Sequence, residues 1–175
     1  PSQVSFWLPS WGIAHIPIWG TFITTPQVDE NKAAVKVETN IQNDYAEALS
    51  GKLITKFYDK NNNEVAQKSE EFSIKPKQQK LIEQLIDVEN PELWGVNTPV
   101  LYKAVSQVVL AGEIVDTYES SFGIRTIKFD ADKGFFLNGE NMKIKGVCLH
   151  HDAGLVGAAV PKGVWKQRLQ MLKDG

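Results

Sequence analysis

The chain has 175 residues, 42% of them hydrophobic, and its 19 basic and 21 acidic side chains leave a formal charge of −2. This composition suits one ordinary domain, or a small domain with part of a second, and excludes a chain too polar to bury a core. It provides no basic field for nucleic acid, and the single cysteine, Cys148, excludes an internal disulfide and a cysteine-based zinc cluster. No apolar run approaches the roughly 18 residues of a membrane helix, and no basic-then-apolar leader opens the chain. Pro1 stands where an initiator Met would, which fits a processed protein or a piece of a larger one.

Residues 1–19 hold Phe6, Trp7, Trp11 and Trp19 among three prolines. So many large rings in a short stretch suit either a ligand surface or packing between the next domain and something before it. From about residue 20 to residue 127 the pattern has period two with β-branched residues, as half-buried strands require. Residues 21–25 predict a strand ending at Pro26. Residues 34–41 place Val35, Val37, Thr39 and Ile41 on one face. Residues 52–58 run into the turn sequence Asp59-Lys-Asn-Asn-Asn63, and residues 64–74 return from it. Residues 79–88 alternate only loosely. Residues 102–110 and 114–122 flank Ala111-Gly112-Glu113 as a hairpin. Seven short strands in about 100 residues, with no amphipathic helix between them, predict an immunoglobulin-like β-sandwich, with a small barrel as the alternative.

After residue 127 the pattern changes. A turn at residues 130–134 and a second at Asn138-Gly139 predict a hairpin. Residues 142–149 read as a mostly apolar strand, residues 153–160 as a Gly/Ala-rich loop, and residues 161–174 as a helix. Hairpin, strand, loop and helix together are how a β/α barrel can open. The fold class expected is therefore mainly β: a sandwich over residues 20–127, then the first strand and helix of a truncated barrel over residues 128–175.

His150-His151-Asp152 is the sharpest local feature. On a strand, His150 and Asp152 would share a face. A metal site would need ligands from converging elements, and His15 is the only other histidine. A nucleophile–base pair with Cys148 would join residues whose side chains diverge. A binding residue at the C-terminal end of a barrel strand is the third reading, and a histidine satisfied by neighbouring backbone is the fourth. Glycosidic hydrolysis normally takes two carboxylates. Beyond residue 127 the acids are Asp130, Asp132, Glu140, Asp152 and Asp174, and all but Asp152 sit in turns or at the end of the predicted helix. No catalytic pair, metal set or cofactor motif can be nominated, and phosphate loops are missing.

The segment Asn90-Pro-Glu-Leu-Trp-Gly-Val-Asn-Thr-Pro-Val-Leu-Tyr102 resembles the N-P-x-L-W-x4-P-x-L-Y signature of glycoside hydrolase family 2. Asp116 followed by Phe122-Gly-Ile-Arg125 is similar to the strand that closes that family's immunoglobulin-like domain. Phe136-Leu-Asn-Gly139 and Lys145-Gly-Val-Cys-Leu-His150 resemble its F-x-L-N-G and K-G-x-N-x-H motifs, with Cys148 where the second has Asn. Residues 19–26 resemble the exit from the family's sugar-binding-like domain, so residues 1–19 are expected to be that exit.

The resemblance implies a retaining exo-glycosidase, most like a β-galactosidase, with a β-linked sugar as substrate and two catalytic glutamates downstream of these residues. The chain alone is then expected to be inactive. The resemblance makes His150 a sugar-subsite residue that hydrogen-bonds hydroxyls as charge develops, and Asp152 a further hydroxyl contact. It gives Trp94 and Tyr102 structural roles as large rings in the core or against the barrel. Arg125 is expected to tie sandwich to barrel through a carboxylate or carbonyls. Leu137, Ile144, Val147, Val164 and Leu169 should be incompletely covered, and are expected either to pair with a second copy or to become disordered. The rival expectation is a non-catalytic immunoglobulin-like module that binds carbohydrate or protein, in which residues 129–175 would fold back to close the sandwich core.

Overall fold

The computed structural model describes residues 14–150 and 152–175. They divide into two compact units that meet after Met142. The described residues of the first unit form eleven strands. They are β1 (Ala14–His15), β2 (Thr21–Val28), β3 (Lys32–Asn43), β4 (Leu49–Tyr58), β5 (Glu64–Ile74), β6 (Gln79–Glu89), β7 (Tyr102–Leu110), β8 (Glu113–Phe122), β9 (Ile127–Asp130), β10 (Gly134–Leu137) and β11 (Glu140–Asn141).

Every ladder between the described strands is antiparallel, and the isolated Leu93–Ile124 bridge is parallel. In one sheet β3 is central: β1 and β2 share one edge of it and β6 takes the other. The second sheet has the order β5-β4-β7-β8. Consecutive strands β3 and β4, β5 and β6, and β6 and β7 lie in different sheets, so the chain crosses between layers as an immunoglobulin-like sandwich does.

Alternation explains which residues face inward. Val35, Val37, Thr39 and Ile41 of β3 are all buried, and so are Ile82, Gln84, Ile86 and Val88 of β6. The core has two apolar clusters. One gathers Val35, Val37, Phe57, Ile86, Tyr102 and Phe122. The other gathers Ala14, Ile16, Ile41, Leu53, Phe72, Ile82 and Val108. Thr39, Thr55, Gln84 and Ser106 are buried polar residues of the same inward-facing strands. Thr55 Oγ1 donates to Gln84 Oε1 at 2.6 Å and lies 3.3 Å from Ser106 Oγ, while Gln84 Nε2 donates to the carbonyls of Leu53 and Lys68. A buried amide costs several kcal/mol unless it is bonded, so this cross-sheet set offsets the cost of placing Gln84 inside. β6 therefore alternates strictly, with Gln84 occupying a core position that looked polar.

The turns form as their residues dictate. Asp59 Oδ1 accepts from the amides of Asn61 and Asn63, its Oδ2 accepts from Asn63 Nδ2, and Asn62 takes a positive φ of 63°. These bonds, led by the Asn63 side chain, hold the Asp59 carboxyl below its ordinary pKa. Asp116 Oδ2 accepts from the Ile16 amide at 2.7 Å, which fastens the end of β1 to β8.

Several expectations are corrected. The strand predicted over residues 21–25 does not stop at Pro26: β2 runs to Val28, because a register shift between Thr24 and Gln27 carries the proline through the ladder. Residues 142–149 do not form the predicted barrel strand: they belong to no ladder. A strand needs a neighbour to hydrogen-bond with, and none is paired with these residues. The described structure therefore contains the sandwich and the helix of the expected fold class, and not the barrel strand. Leu137 is buried, not uncovered, because β10 lies between β9 and β11.

The second unit holds a 3₁₀ turn at Gly154–Val156 and helix α1 (Lys162–Asp174). Pro161 occupies the N-cap position. Its missing N–H forfeits nothing there, since the first turn leaves its amides without helical acceptors. No described residue of α1 is buried, and Leu169, Met171 and Leu172 are exposed, as are Ile144, Val147 and Leu149 before it. No described helix is long and apolar enough to cross a membrane.

Candidate functional site

His150 and Asp152 lie in the second unit, on irregular backbone and not on one strand face. Both are exposed, and His151 between them is outside the described residues. The Asp152 amide donates to the His150 carbonyl at 2.8 Å, and Asp152 Oδ1 accepts from the Gly154 amide at 2.9 Å. The second bond is an Asx turn, which fixes the carboxylate at the start of the 3₁₀ turn. Arg168 Nη1 of α1 donates to the Asp152 carbonyl at 2.8 Å, and its guanidinium lies 5.3 Å from the Trp165 ring centre. An open groove of about 450 Å³ follows, lined by Cys148, Leu149, His150, Asp152, Arg168, Met171 and Leu172. The groove brings together one imidazole, one carboxylate, one guanidinium and an apolar floor. These groups can orient a polyhydroxylated ligand. Among the described residues no three His, Cys, Asp or Glu side chains converge to hold a metal ion.

Arg168 was not singled out from sequence. Its signal was an arginine at an apolar-face position of the predicted helix, three residues after Trp165 and four before Leu172. Such a position puts the charge beside whatever the face covers.

The other nominated residues form a knot in the first unit. The Trp94 amide donates to the Ile124 carbonyl at 2.8 Å, Leu93 bridges Ile124, and Asn138 Nδ2 donates to the Trp94 carbonyl at 3.0 Å. Trp94 is half-buried, so its ring does not fill the core, the first of the two places expected for it. Its ring lies beside Gly123, where a β-carbon would fall 2.7 Å from Trp94 Cβ. The glycine of Phe122-Gly-Ile-Arg125 is thus required by the tryptophan of the preceding loop. Arg125 stacks its guanidinium 5.2 Å from the Trp94 ring centre. Among the described residues that charge meets an aromatic face. Tyr102 is buried, stacks on Phe122 at 5.7 Å, and accepts the Glu92 amide at its hydroxyl at 2.8 Å. Burial pushes its phenol above the ordinary pKa, and the Glu92 hydrogen bond opposes that.

The family model for glycosyl hydrolases family 2 matches residues 14–125, from the start of β1 to Arg125. The chain belongs to glycosyl hydrolase family 2. It is 37% identical over 168 residues to a β-galactosidase of Bacteroides ovatus, a match covering 96% of this chain and 20% of that protein. It is 35% identical over 127 residues to a β-glucuronidase of Formosa agariphila, covering 73% of this chain and 13% of that protein. A solved structure of a family 2 member from Bacteroides cellulosilyticus superposes with a TM-score of 0.86 at 36% identity, over 92% of this chain and 22% of that one. The chain thus spans about a fifth or less of the length of these relatives. The signature residues 90–102 and 122–125 fall inside the family match and coincide with the Trp94–Gly123–Arg125 knot.

Proposed function

We propose that this chain is part of a larger retaining glycoside hydrolase, β-galactosidase-like, that releases terminal β-linked sugars, and that residues 128–175 open its catalytic barrel. The observation that carries this reading is the 37% identity to a β-galactosidase over 168 residues, which extends past the sandwich and through the second unit. The two catalytic carboxylates lie outside these residues. Residues 143–175 contain two acids, Asp152 and Asp174, and Asp174 Oδ1 at the end of α1 accepts from Gln170. The chain alone is therefore inactive, and the sandwich braces the barrel.

In this reading His150 donates or accepts a hydrogen bond at sugar hydroxyls, and the bond strengthens as positive charge develops at the anomeric carbon. Asp152 Oδ1 is engaged by Gly154, so Oδ2 is the oxygen a hydroxyl would use. Arg168 acts through Asp152, fixing its backbone from the helix. The exposed Ile144, Val147, Leu169, Met171 and Leu172 suit a second unit that packs against further barrel elements. In the 175-residue chain alone they pair with a second copy, and a strict monomer in sedimentation would overturn that pairing.

The test is hydrolysis of aryl β-D-galactoside, glucuronide, mannoside and glucoside by the longer polypeptide, with the 175-residue chain run beside it. Turnover by the longer polypeptide alone is expected, strongest on the galactoside. Turnover by neither would leave a non-catalytic module and remove the reading.

A further inference from the structure

We propose that the Asn138–Gly139 turn is a deamidation site, one that the fold keeps intact and whose conversion unlatches the β9–β11 sheet from the Trp94 loop. The inference is independent of the catalytic reading. Asn138-Gly139 is the one Asn-Gly pair in the sequence. Glycine carries no β-carbon to screen its own amide nitrogen, so an asparagine placed before it is the most open to attack at its side chain. In that reaction the Gly139 nitrogen loses its proton and bonds to Asn138 Cγ, the Cγ–Nδ2 bond breaks, and Nδ2 leaves with that proton as ammonia. Water then opens the five-membered imide. Cleavage at Cγ yields aspartate, and cleavage at the backbone carbonyl yields isoaspartate, whose main chain runs through the former side chain. One ammonia is exchanged for one water, and no oxidant or cofactor takes part.

Asn138 and Gly139 form a two-residue hairpin turn between the paired Leu137 and Glu140, with positive φ values of 51° and 81°. Asn-Gly adopts that left-handed pair at least cost. Gly139 is exposed, with nothing within 4 Å of where its β-carbon would stand. The Asn138 amide, in contrast, is held at both ends. Its Nδ2 donates to the Trp94 carbonyl at 3.0 Å and its Oδ1 accepts from the Thr126 amide at 3.0 Å. Its backbone amide donates to the Thr126 carbonyl at 3.0 Å. Ring closure makes Cγ tetrahedral and ties it to its own chain, so neither side-chain bond survives and the reaction runs from an opened state. The products cannot restore the latch. Both oxygens of an ionised aspartate are acceptors, so one of them faces the Trp94 carbonyl with no proton between them. In isoaspartate the extra main-chain carbon also breaks the two-residue count on which the turn depends. Gly123 and Arg125 pack on Trp94, so the loss falls on the knot built by the signature residues.

The experiment ages the 175-residue chain in mildly alkaline buffer, with and without urea, and maps its peptides by mass spectrometry for Asn, Asp and isoaspartate at every asparagine. In urea Asn138 is expected to convert ahead of the other asparagines. In buffer alone its conversion is expected to be slower by about tenfold or more. Equal rates in the two conditions, or faster conversion in urea at Asn62 or Asn97, would overturn the site. The latch is read from Asn138→Asp, which is expected to lower Tm by about 4 °C or more at neutral pH. Facing a carbonyl raises the folded pKa of the new carboxyl above its unfolded value, so stability returns as pH falls through the folded value. Below about pH 4 the protonated carboxyl donates to the Trp94 carbonyl, and the gap from wild type is expected to narrow. A variant that does not fold at neutral pH is expected to fold there. A gap that is absent, or that stays constant with pH, would overturn the latch.

Discussion

Residues 32–43 and residues 143–149 are both rich in β-branched and apolar side chains, yet only the first form a strand. Val35, Val37 and Ile41 lie on β3, which has ladders along both edges, and vanish into two core clusters. Ile144, Val147 and Leu149 have no ladder and stay exposed. Strand structure is a property of the pair and not of the segment, since backbone amides and carbonyls need partners and an apolar face needs an opposing layer. The sandwich brings both within residues 14–142, and residues 143–175 do not.

Substitutions can widen or erase that contrast. The largest effect is expected at Phe57, fully buried with its ring 4.9 Å from Phe122. Phe57→Ala should cost about 3–5 kcal/mol in urea unfolding, and a loss below 1 kcal/mol would mean the sandwich core is not the stabilising body. Trp94→Ala should cost about 2 kcal/mol, less than a full core truncation because the ring is half-exposed. Its loss also strips Arg125 of its stacking face, so a double substitution with Arg125→Ala should be less than additive.

Tyr102→Phe should cost about 1 kcal/mol at neutral pH, through the lost bond from the Glu92 amide. Its folded pKa lies above the unfolded value, so the neutral phenol stabilises the fold below about pH 10, and this contribution is lost as pH rises through the folded value. Wild-type stability should therefore fall more steeply than that of Tyr102→Phe above pH 10, and parallel curves would contradict the burial of the phenol. Smallest of all, Leu172→Ser on the exposed face of α1 should change stability of the 175-residue chain, diluted until it is monomeric, by less than about 0.5 kcal/mol. A loss as large as that of Trp94→Ala would show the second unit to be as tightly packed as the first.

Much of the sandwich was legible because its signals are local. The alternation of β3, the Asp59–Asn63 turn and the β7–β8 hairpin each depend on neighbours in sequence. What was not legible depends on partners far along the chain. Gln84 looked like a break in the pattern because its hydrogen-bond partners, Thr55 and the carbonyls of Leu53 and Lys68, come from other strands. Pro26 looked like a strand end because a bulge is a relation between two strands. The face that Arg125 stacks on lies 31 residues earlier, at Trp94, a pairing that no local pattern announces. His150 and Asp152 were legible as a pair of interest, whereas their geometry was not. The Asx turn and the arginine from α1 replace the strand face that spacing alone suggested.

The bulge at Pro26 has a consequence for how this molecule can go wrong. β2 lies at the rim of its sheet, where an intact strand would offer a row of free amides and carbonyls to any passing chain. A proline with no N–H, set in a kinked register, spoils that row as a template. At the rims of the other sheet, β5 carries Lys68, Glu70 and Glu71, and β8 carries Glu113 and Glu119, which would have to be desolvated for a strand to add. Growth by sheet extension at these three rims, a route to fibres, is therefore opposed even while apolar side chains of the second unit stand open. Association that covers those side chains proceeds face to face and stops when the face is covered.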